Sequence, residues 1–156
     1  MHTYKRNAFT LVEILIVVVI LGILAAIVVP KFTGAAQDAR IGAFVTSIKT
    51  YADTCEYYNI KEGQYPGDGS SGVVPAGLES YLDVDEFENG TPLGGVWDTE
   101  YLDSGVGAAV GVHFNGGEDP GDAVMLIVDE IFDNGDLSTG SFQKLAATRY
   151  YYILAP

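Results

Sequence analysis

The sequence predicts an α+β fold in which one long N-terminal helix lies against a small antiparallel β-sheet. Three observations lead to this prediction. An uninterrupted apolar run stands near the N-terminus, an apolar stripe at three- and four-residue steps continues it, and short strand-like segments separated by glycine-rich turns fill the C-terminal half. Strands that follow a helix, rather than alternating with helices, are typical of the α+β class.

The first of these features, residues 9–29, is long enough to cross a membrane. Thr10 and Glu13 are its only strongly polar side chains. At 1.5 Å per residue, about 21 helical residues extend about 31 Å, which matches the hydrocarbon thickness of a bilayer. Lys5 and Arg6 precede the run, and this basic bias predicts a cytoplasmic N-terminus.

Glu13 is the residue that needs explaining, because a carboxylate inside a membrane-spanning helix is costly and usually functional. A cleaved secretory signal is one alternative, but such a signal has a shorter apolar region and no acid in it. A plain single-pass anchor is another, but it does not require Glu13. A third reading is cleavage between Ala8 and Phe9, which creates a cationic amine one helical turn before Glu13.

That amine suggests a role in assembly. If identical helices pack side by side with an axial stagger, Glu13 of one copy meets the Phe9 amine of the next. A misregistered neighbour would leave a carboxylate unpaired in apolar surroundings. The pair would therefore set the register of a filament made of identical subunits.

The stretch K5-R-N-A-F-T-L-V-E13 and the apolar helix after it resemble the class III signal of type IV pilins and type II secretion pseudopilins. The resemblance implies that a prepilin peptidase cuts before Phe9 and methylates its new amino group, and that Glu13 guides assembly. Pro30 stands where many members have a helix-bending proline, and Gly22 where the helix can loosen. The family usually has glycine before the cut, whereas this chain has Ala8.

We therefore expect three regions: a leader over 1–8, a transmembrane and assembly helix over 9–30, and an extracytoplasmic pilin-like domain over 31–156. The helix is expected to continue to about Asn59, with a kink at Pro30. The stripe on its second half predicts that this half packs on a core; its members are Ile41, Phe44, Val45, Ile48, Tyr51, Ala52, Cys55 and Tyr58.

The middle of the chain predicts a loop, a short helix and a hairpin. Residues 62–72 are rich in glycine, serine and proline, as loops are, and residues 77–83 favour a short helix. Residues 94–102 and 105–114 flank a turn and read as paired strands, with Trp97 as a core anchor.

The C-terminal part is ambiguous in one place. Residues 119–135 contain an apolar run that suits a buried strand, but Asp119 as N-cap and Pro120 in the first turn favour a helix that stops at residues 134–135. The aromatic run 149–155 predicts a strand.

The soluble region also resembles the pseudopilin-like branch of the family, in which a long helix packs on a three- or four-stranded sheet. Many true type IV pilins close a C-terminal loop with a disulfide. Cys55 is the one cysteine of the chain and cannot form such a bond internally, so it is expected to be a buried small hydrophobe. This difference favours a type II secretion pseudopilin over a type IV pilin.

Charge and motifs argue against two other classes of protein. The chain has 21 acidic and 8 basic residues, and no lysine or arginine stands between Lys61 and Lys144, so nucleic-acid binding is disfavoured. Enzymatic activity is also unexpected, because the sequence has no HExxH, GxSxG or phosphate-loop motif. His113 is expected to be a strand-surface residue.

The best candidate for metal binding is the segment 129–136. Asp129, Asp133 and Asp136 surround a tight turn and offer the oxygen ligands that Ca²⁺ prefers. The family resemblance adds that major pseudopilins use calcium to brace a C-terminal loop. The alternative is a helix stop followed by a solvated turn, and a second acidic cluster, 83–88, reads as a solvated face.

These observations predict a structural protein: a pilus or pseudopilus subunit, inserted in the bacterial inner membrane with its N-terminus in the cytoplasm and polymerised into a periplasmic or extracellular filament. The implied partners are other copies of the chain, a prepilin peptidase, an inner-membrane assembly platform and, before assembly, membrane lipid. The alternatives are a surface pilus for adhesion or motility and a monomeric membrane-anchored binding domain.

Overall fold

The computed structural model describes residues 9–116 and 119–156, without the side chains of 29–33. These residues fall into two compact units, one ending at Ala39 and one comprising Arg40–Pro156. The elements are α1 (Leu11–Glu62), a 3₁₀ turn (Leu78–Ser80), α2 (Val84–Glu88), β1 (Val96–Tyr101), β2 (Ala108–His113), α3 (Asp122–Phe132), β3 (Phe142–Ala146) and β4 (Arg149–Ala155). The predicted α+β fold is confirmed.

Helix α1 has two parts with different surroundings. Leu11–Val28 is long and apolar enough to cross a membrane, with a mean hydropathy of 3.2, and none of it is buried. The helix continues through Gly22 and Pro30 without interruption, and a kink there stays a prediction. Within the second unit, the predicted apolar stripe is buried from Ile41 to Cys55.

The sheet has the strand order β1-β2-β4-β3, and all its neighbours are antiparallel. The predicted hairpin is confirmed, with Trp97 opposite Val112. Strand β4 is confirmed as well. Strand β3 was not expected, because a five-residue edge strand that contains Gln143 and Lys144 has too few apolar residues to show an alternating pattern.

The core lies between the second half of α1 and one face of the sheet. Trp97 is 1% exposed and stacks on Phe44, with 5.3 Å between ring centroids. Tyr51 meets the same indole edge-on at 4.9 Å. Val110 and Tyr150 complete this layer from the two central strands. Trp97 is therefore the core anchor that the sequence predicts.

Two helix starts differ from the prediction. Segment 119–135 does form a helix, but α3 begins after Gly121, whose φ of 81° turns the chain, and Asp119 instead accepts a hydrogen bond from the Gly121 amide at 2.8 Å. The helix expected over 77–83 is only a 3₁₀ turn, because Asp83 caps the next helix, α2.

The acidic cluster 83–88 forms this capped helix, and its four acids are exposed as expected. The Asp83 carboxylate accepts a hydrogen bond from the Glu86 amide at 3.1 Å. Phe87, on the opposite side, is 1% exposed and packs edge-on against Tyr51 at 5.2 Å between centroids. The solvated face therefore belongs to a helix that is anchored by one aromatic ring.

Cys55 is buried, as predicted, and this leads to a testable expectation. Burial raises the pKa of its thiol to about 12, so the reactive thiolate is scarce at neutral pH. We expect iodoacetamide to label Cys55 at about pH 8 only after unfolding in urea. Mass spectrometry of labelled native and unfolded protein checks this, and rapid labelling of the native chain would contradict the buried position.

Candidate functional site

The head of α1 carries the first candidate site, which is built from Thr10 and Glu13. The Glu13 carboxylate accepts hydrogen bonds from the Thr10 backbone amide and from the Thr10 hydroxyl, each at 2.8 Å. In return, the Thr10 hydroxyl accepts a hydrogen bond from the Glu13 amide at 3.2 Å. This reciprocal arrangement is a capping box, which satisfies backbone N–H groups that a helix start leaves free.

The capping box gives Glu13 a role within its own chain. Its spacing, T10-x-x-E13, is a signal for this box that the sequence itself contains. Because the box supplies donors from the same chain, helix capping is an alternative explanation for an acid at this position. A test of the assembly role must therefore separate the charge of Glu13 from its capping geometry.

The surface around this site is apolar and exposed. Phe9 is 81% exposed, Leu11 is 83% exposed, and the large side chains from there to Val28 are exposed as well. An apolar surface of this extent must be covered by lipid or by protein. Ala8, on the other side of the expected cut, lies outside the described residues.

The second candidate site is the turn after α3. The Asp129 side chain is fully buried, and one of its oxygens, Oδ2, accepts a hydrogen bond from the Asp136 amide at 2.7 Å. Asp133 accepts hydrogen bonds from the amides of Asn134 and Ser141. The Asp136 carboxylate turns toward Ser138, accepting from its amide at 3.0 Å and from its hydroxyl at 2.6 Å. These acids therefore hold the turn by accepting its backbone N–H groups.

Whether this turn fits Ca²⁺ depends on the carboxylate oxygens that do not already accept a hydrogen bond. Asp129 Oδ1 is buried and has no hydrogen-bond partner among the residues that the structure describes, and burial raises the pKa of Asp129. A buried carboxylate oxygen without a donor is expensive, and hard cations take such oxygens as ligands. Asp129 therefore fits a cation, with Asp133 as its neighbour along the turn, whereas Asp136 faces Ser138 instead.

A third group of acids lies on the outer face of the sheet. Asp98 and Glu100 are each 3% exposed, although both are charged residues of β1. Arg149 donates to Glu100 at 2.8 Å and lies 3.3 Å from Asp98, while the Tyr151 hydroxyl lies 2.7 Å from Asp98 and 3.0 Å from Glu100. One guanidinium and one phenol thus hold two buried carboxylates.

Sequence reasoning missed this cluster, because it joins β1 to β4 across β2. His113 lies at its rim. It is half-buried rather than at the open surface, with Nδ1 2.9 Å from the Ser71 hydroxyl, and burial together with the nearby Arg149 lowers its pKa. Carboxylate oxygens of Glu100 also come within 4.8 Å of those of Asp68 and Asp103.

Comparison with known proteins agrees with the site at the head of α1. A family described as "Prokaryotic N-terminal methylation motif" matches residues 3–29, which include Phe9, Thr10 and Glu13. That motif covers the region where the sequence predicts cleavage and methylation.

Several curated relatives are similar to part of the chain. Type II secretion system core protein G of Pseudomonas aeruginosa is 39% identical over 66 residues, which are 42% of this chain and 46% of that protein. The protein of the same name from Vibrio cholerae is 40% identical over 62 residues, 40% of this chain and 42% of that protein. A fimbrial protein of Neisseria meningitidis is 29% identical over 93 residues, 58% of this chain and 54% of that protein.

The matches thus span about half the length of these relatives. No solved structure matches the chain. The N-terminal motif, the exposed apolar helix that lies within it and the names of the relatives agree with one another. The chain thus carries the prokaryotic N-terminal methylation motif and is similar, over about half of their length, to type II secretion system core protein G and to a fimbrial protein.

Proposed function

We propose that the chain is a structural subunit of a helical filament, of the kind that serves type II secretion. One observation carries the proposal: an apolar helix, Leu11–Val28, none of which is buried, has an acid at its head and leads into a folded, strongly acidic domain. Lipid covers such a helix before assembly, and the helices of other copies cover it afterwards. The relatives named for type II secretion support this choice.

Assembly then follows from the processing of the N-terminus. A prepilin peptidase at the cytoplasmic face of the inner membrane removes residues 1–8 and leaves a methylated amine on Phe9. An assembly platform extracts the subunit, and Glu13 pairs with the Phe9 amine of the neighbouring copy. Head-to-tail contacts that do not close into a ring extend the filament outward.

A surface pilus is the second candidate function. The similarity to a fimbrial protein of Neisseria meningitidis favours it. In both functions the subunit is cut before Phe9 and polymerises. Fibres visible on the cell surface by electron microscopy, and lost on deletion of the gene, would favour the pilus over a short secretion filament.

Intact-mass spectrometry of the protein extracted from its native membrane tests the filament proposal. We expect a chain that begins at methylated Phe9, because the family motif over residues 3–29 implies removal of the leader and methylation. Retention of residues 1–8 would contradict the filament and leave a monomeric membrane anchor.

We also propose that Ca²⁺ binds at the turn after α3, through Asp129 Oδ1 and the Asp133 carboxylate, with Asp136 holding the turn closed. Ca²⁺ at one hundred times its dissociation constant stabilises a protein by about 2.7 kcal/mol, which corresponds to about 5–10 °C for a chain of this size. We expect that rise in Tm when calcium replaces chelator. Asp129→Asn keeps a carbonyl oxygen for the Asp136 amide but removes the charge.

Thermal unfolding of the full chain in detergent, with and without calcium, measures both effects. The variant should lose the response to calcium and, in chelator, should be at least as stable as the parent chain, because it no longer buries an unpaired charge. Equal Tm values for the parent chain in calcium and in chelator would contradict this site.

A further inference from the structure

A cleft runs along α1 where α2 and the 3₁₀ turn pack beside it. Its central part has a volume of about 190 Å³ and is bordered on the α1 side by Thr46, Thr50, Tyr51 and Thr54. Asp83 and Glu86 border it on the other side. All the residues that border the cleft belong to the second unit.

The threonines of the cleft offer lone pairs rather than protons. The hydroxyls of Thr46, Thr50 and Thr54 each donate to a backbone carbonyl one turn earlier in α1, at 2.8, 3.0 and 2.7 Å. A hydroxyl has a single proton to donate, so these three groups can only accept a further hydrogen bond. One wall of the cleft is therefore a ladder of acceptors.

Tyr51 adds an unpaired polar atom to the same wall. Its side chain is 5% exposed, and its hydroxyl is buried without a hydrogen-bond partner among the described residues. The ring cannot swing away, because Phe87 and Trp97 pack edge-on against it at 5.2 and 4.9 Å. A buried hydroxyl without a partner costs free energy that a bound ligand would recover.

Acidic side chains and aromatic rings also border the cleft. Asp83 and Glu86 border the same cleft as Tyr51, and burial together with these two acids raises the pKa of Tyr51 to about 12. Farther along α1 the cleft continues past Asp53 to the rings of Tyr57 and Tyr81. Lys61 lies 5.5 Å from the centroid of the Tyr57 ring, so this ring already accepts a cation on its face. No lysine or arginine borders the cleft among the described residues.

A lining of acceptors, carboxylates and aromatic faces selects a ligand that donates hydrogen bonds and carries positive charge. We propose that this cleft binds the side chain of an arginine or lysine from a partner protein. A second copy is a poor source of that side chain, since the chain has 8 basic residues against 21 acidic ones. A basic segment of a different protein complements the cleft better.

The single tryptophan of the chain reports on this cleft, because Trp97 packs against Tyr51. We would titrate the full chain in detergent micelles with acetyl-Gly-Arg-Gly-amide and follow the emission of Trp97. The neutral control is the same peptide with citrulline, which has nearly the shape of arginine but no charge. We expect a saturable change with the arginine peptide and binding at least about tenfold weaker with citrulline.

Two variants test the site itself. Tyr51→Phe removes only the hydroxyl and keeps the ring in the core, so the fold should persist while the arginine peptide binds at least about tenfold more weakly. Tyr152→Phe is the matched control, since Tyr152 lies on β4 beside Phe132 and away from the cleft, and it should bind like the parent chain. Equal binding of the two peptides, equal binding by Tyr51→Phe and the parent chain, or no binding at all would overturn the proposal.

Discussion

Replacing Glu13 with glutamine is expected to abolish assembly into filaments while the chain still inserts in the membrane. Glutamine serves in a capping box as well as glutamate does, so the hydrogen bonds with Thr10 persist. What disappears is the charge that would pair with the Phe9 amine of a neighbour. Removing one partner of a buried ion pair costs about 3–5 kcal/mol. This cost lowers the affinity of each contact between subunits by more than about a hundredfold.

The matched control for this variant is Thr10→Val. It removes the side-chain half of the capping box but leaves the charge of Glu13, so we expect filaments in reduced amount rather than none. Chemical crosslinking in the cell envelope, followed by immunoblotting of the crosslinked multimers, measures assembly of both variants. Normal filaments from Glu13→Gln together with none from Thr10→Val would show that Glu13 caps its own helix and sets no register.

Replacing Arg149 with methionine is expected to give the largest loss of folding stability among single changes of charge. Arg149 donates to Glu100 at 2.8 Å and lies 3.3 Å from Asp98, and both acids are 3% exposed. The variant leaves two buried carboxylates without a cation. We expect the free energy of unfolding to fall by about 3 kcal/mol, the low end of the usual range, because the Arg149 side chain is 33% exposed.

Urea unfolding of the full chain in detergent, followed by Trp97 emission, measures this loss. A second variant combines Arg149→Met with Asp98→Asn and Glu100→Gln, so that the Tyr151 hydroxyl can donate to one carboxamide oxygen and accept from the N–H of the other. It should recover much of the lost stability, since no unpaired charge remains. The control is Lys144→Met, which breaks the exposed pair with Asp122 and should have a much smaller effect. Equal losses of unfolding free energy for Arg149→Met and Lys144→Met would contradict a special role for the buried cluster.

The parts of the fold that the sequence predicted are those with a strong local pattern. The apolar stripe from Ile41 to Cys55 has the helical period over four turns, and the hairpin has two β-rich runs around one turn. Strand β3 has no such pattern. It is held by pairing with β4 and by Phe142, which is buried and stacks on Phe132 at 5.5 Å.

The start of α3 shows how one residue can override a capping pattern. Asp119 and Pro120 are good starting residues for a helix, but Gly121 adopts a positive φ and moves the start to Asp122. Asp122 then reaches Lys144 at 2.6 Å. That contact joins residues 22 positions apart, and no local signal reveals it.

The candidate sites show the same difference between local sequence patterns and contacts of distant residues. Phe9 and Glu13 were found from the sequence because a leader, an acid and an apolar run lie next to one another in the chain. The cluster of Asp98, Glu100 and Arg149 was not found, because these residues are brought together by strand order. The cleft beside Tyr51 likewise depends on how α2 packs against α1.

The central claim is that the Glu13 carboxylate of one subunit pairs with the Phe9 amine of the next. Electron cryomicroscopy of the filament, at a resolution that shows side chains, tests this claim most directly. We expect the Glu13 carboxylate within about 4 Å of the Phe9 nitrogen of an adjacent subunit. A filament in which Glu13 contacts only Thr10 of its own chain, with the neighbouring Phe9 nitrogen beyond reach, would contradict it.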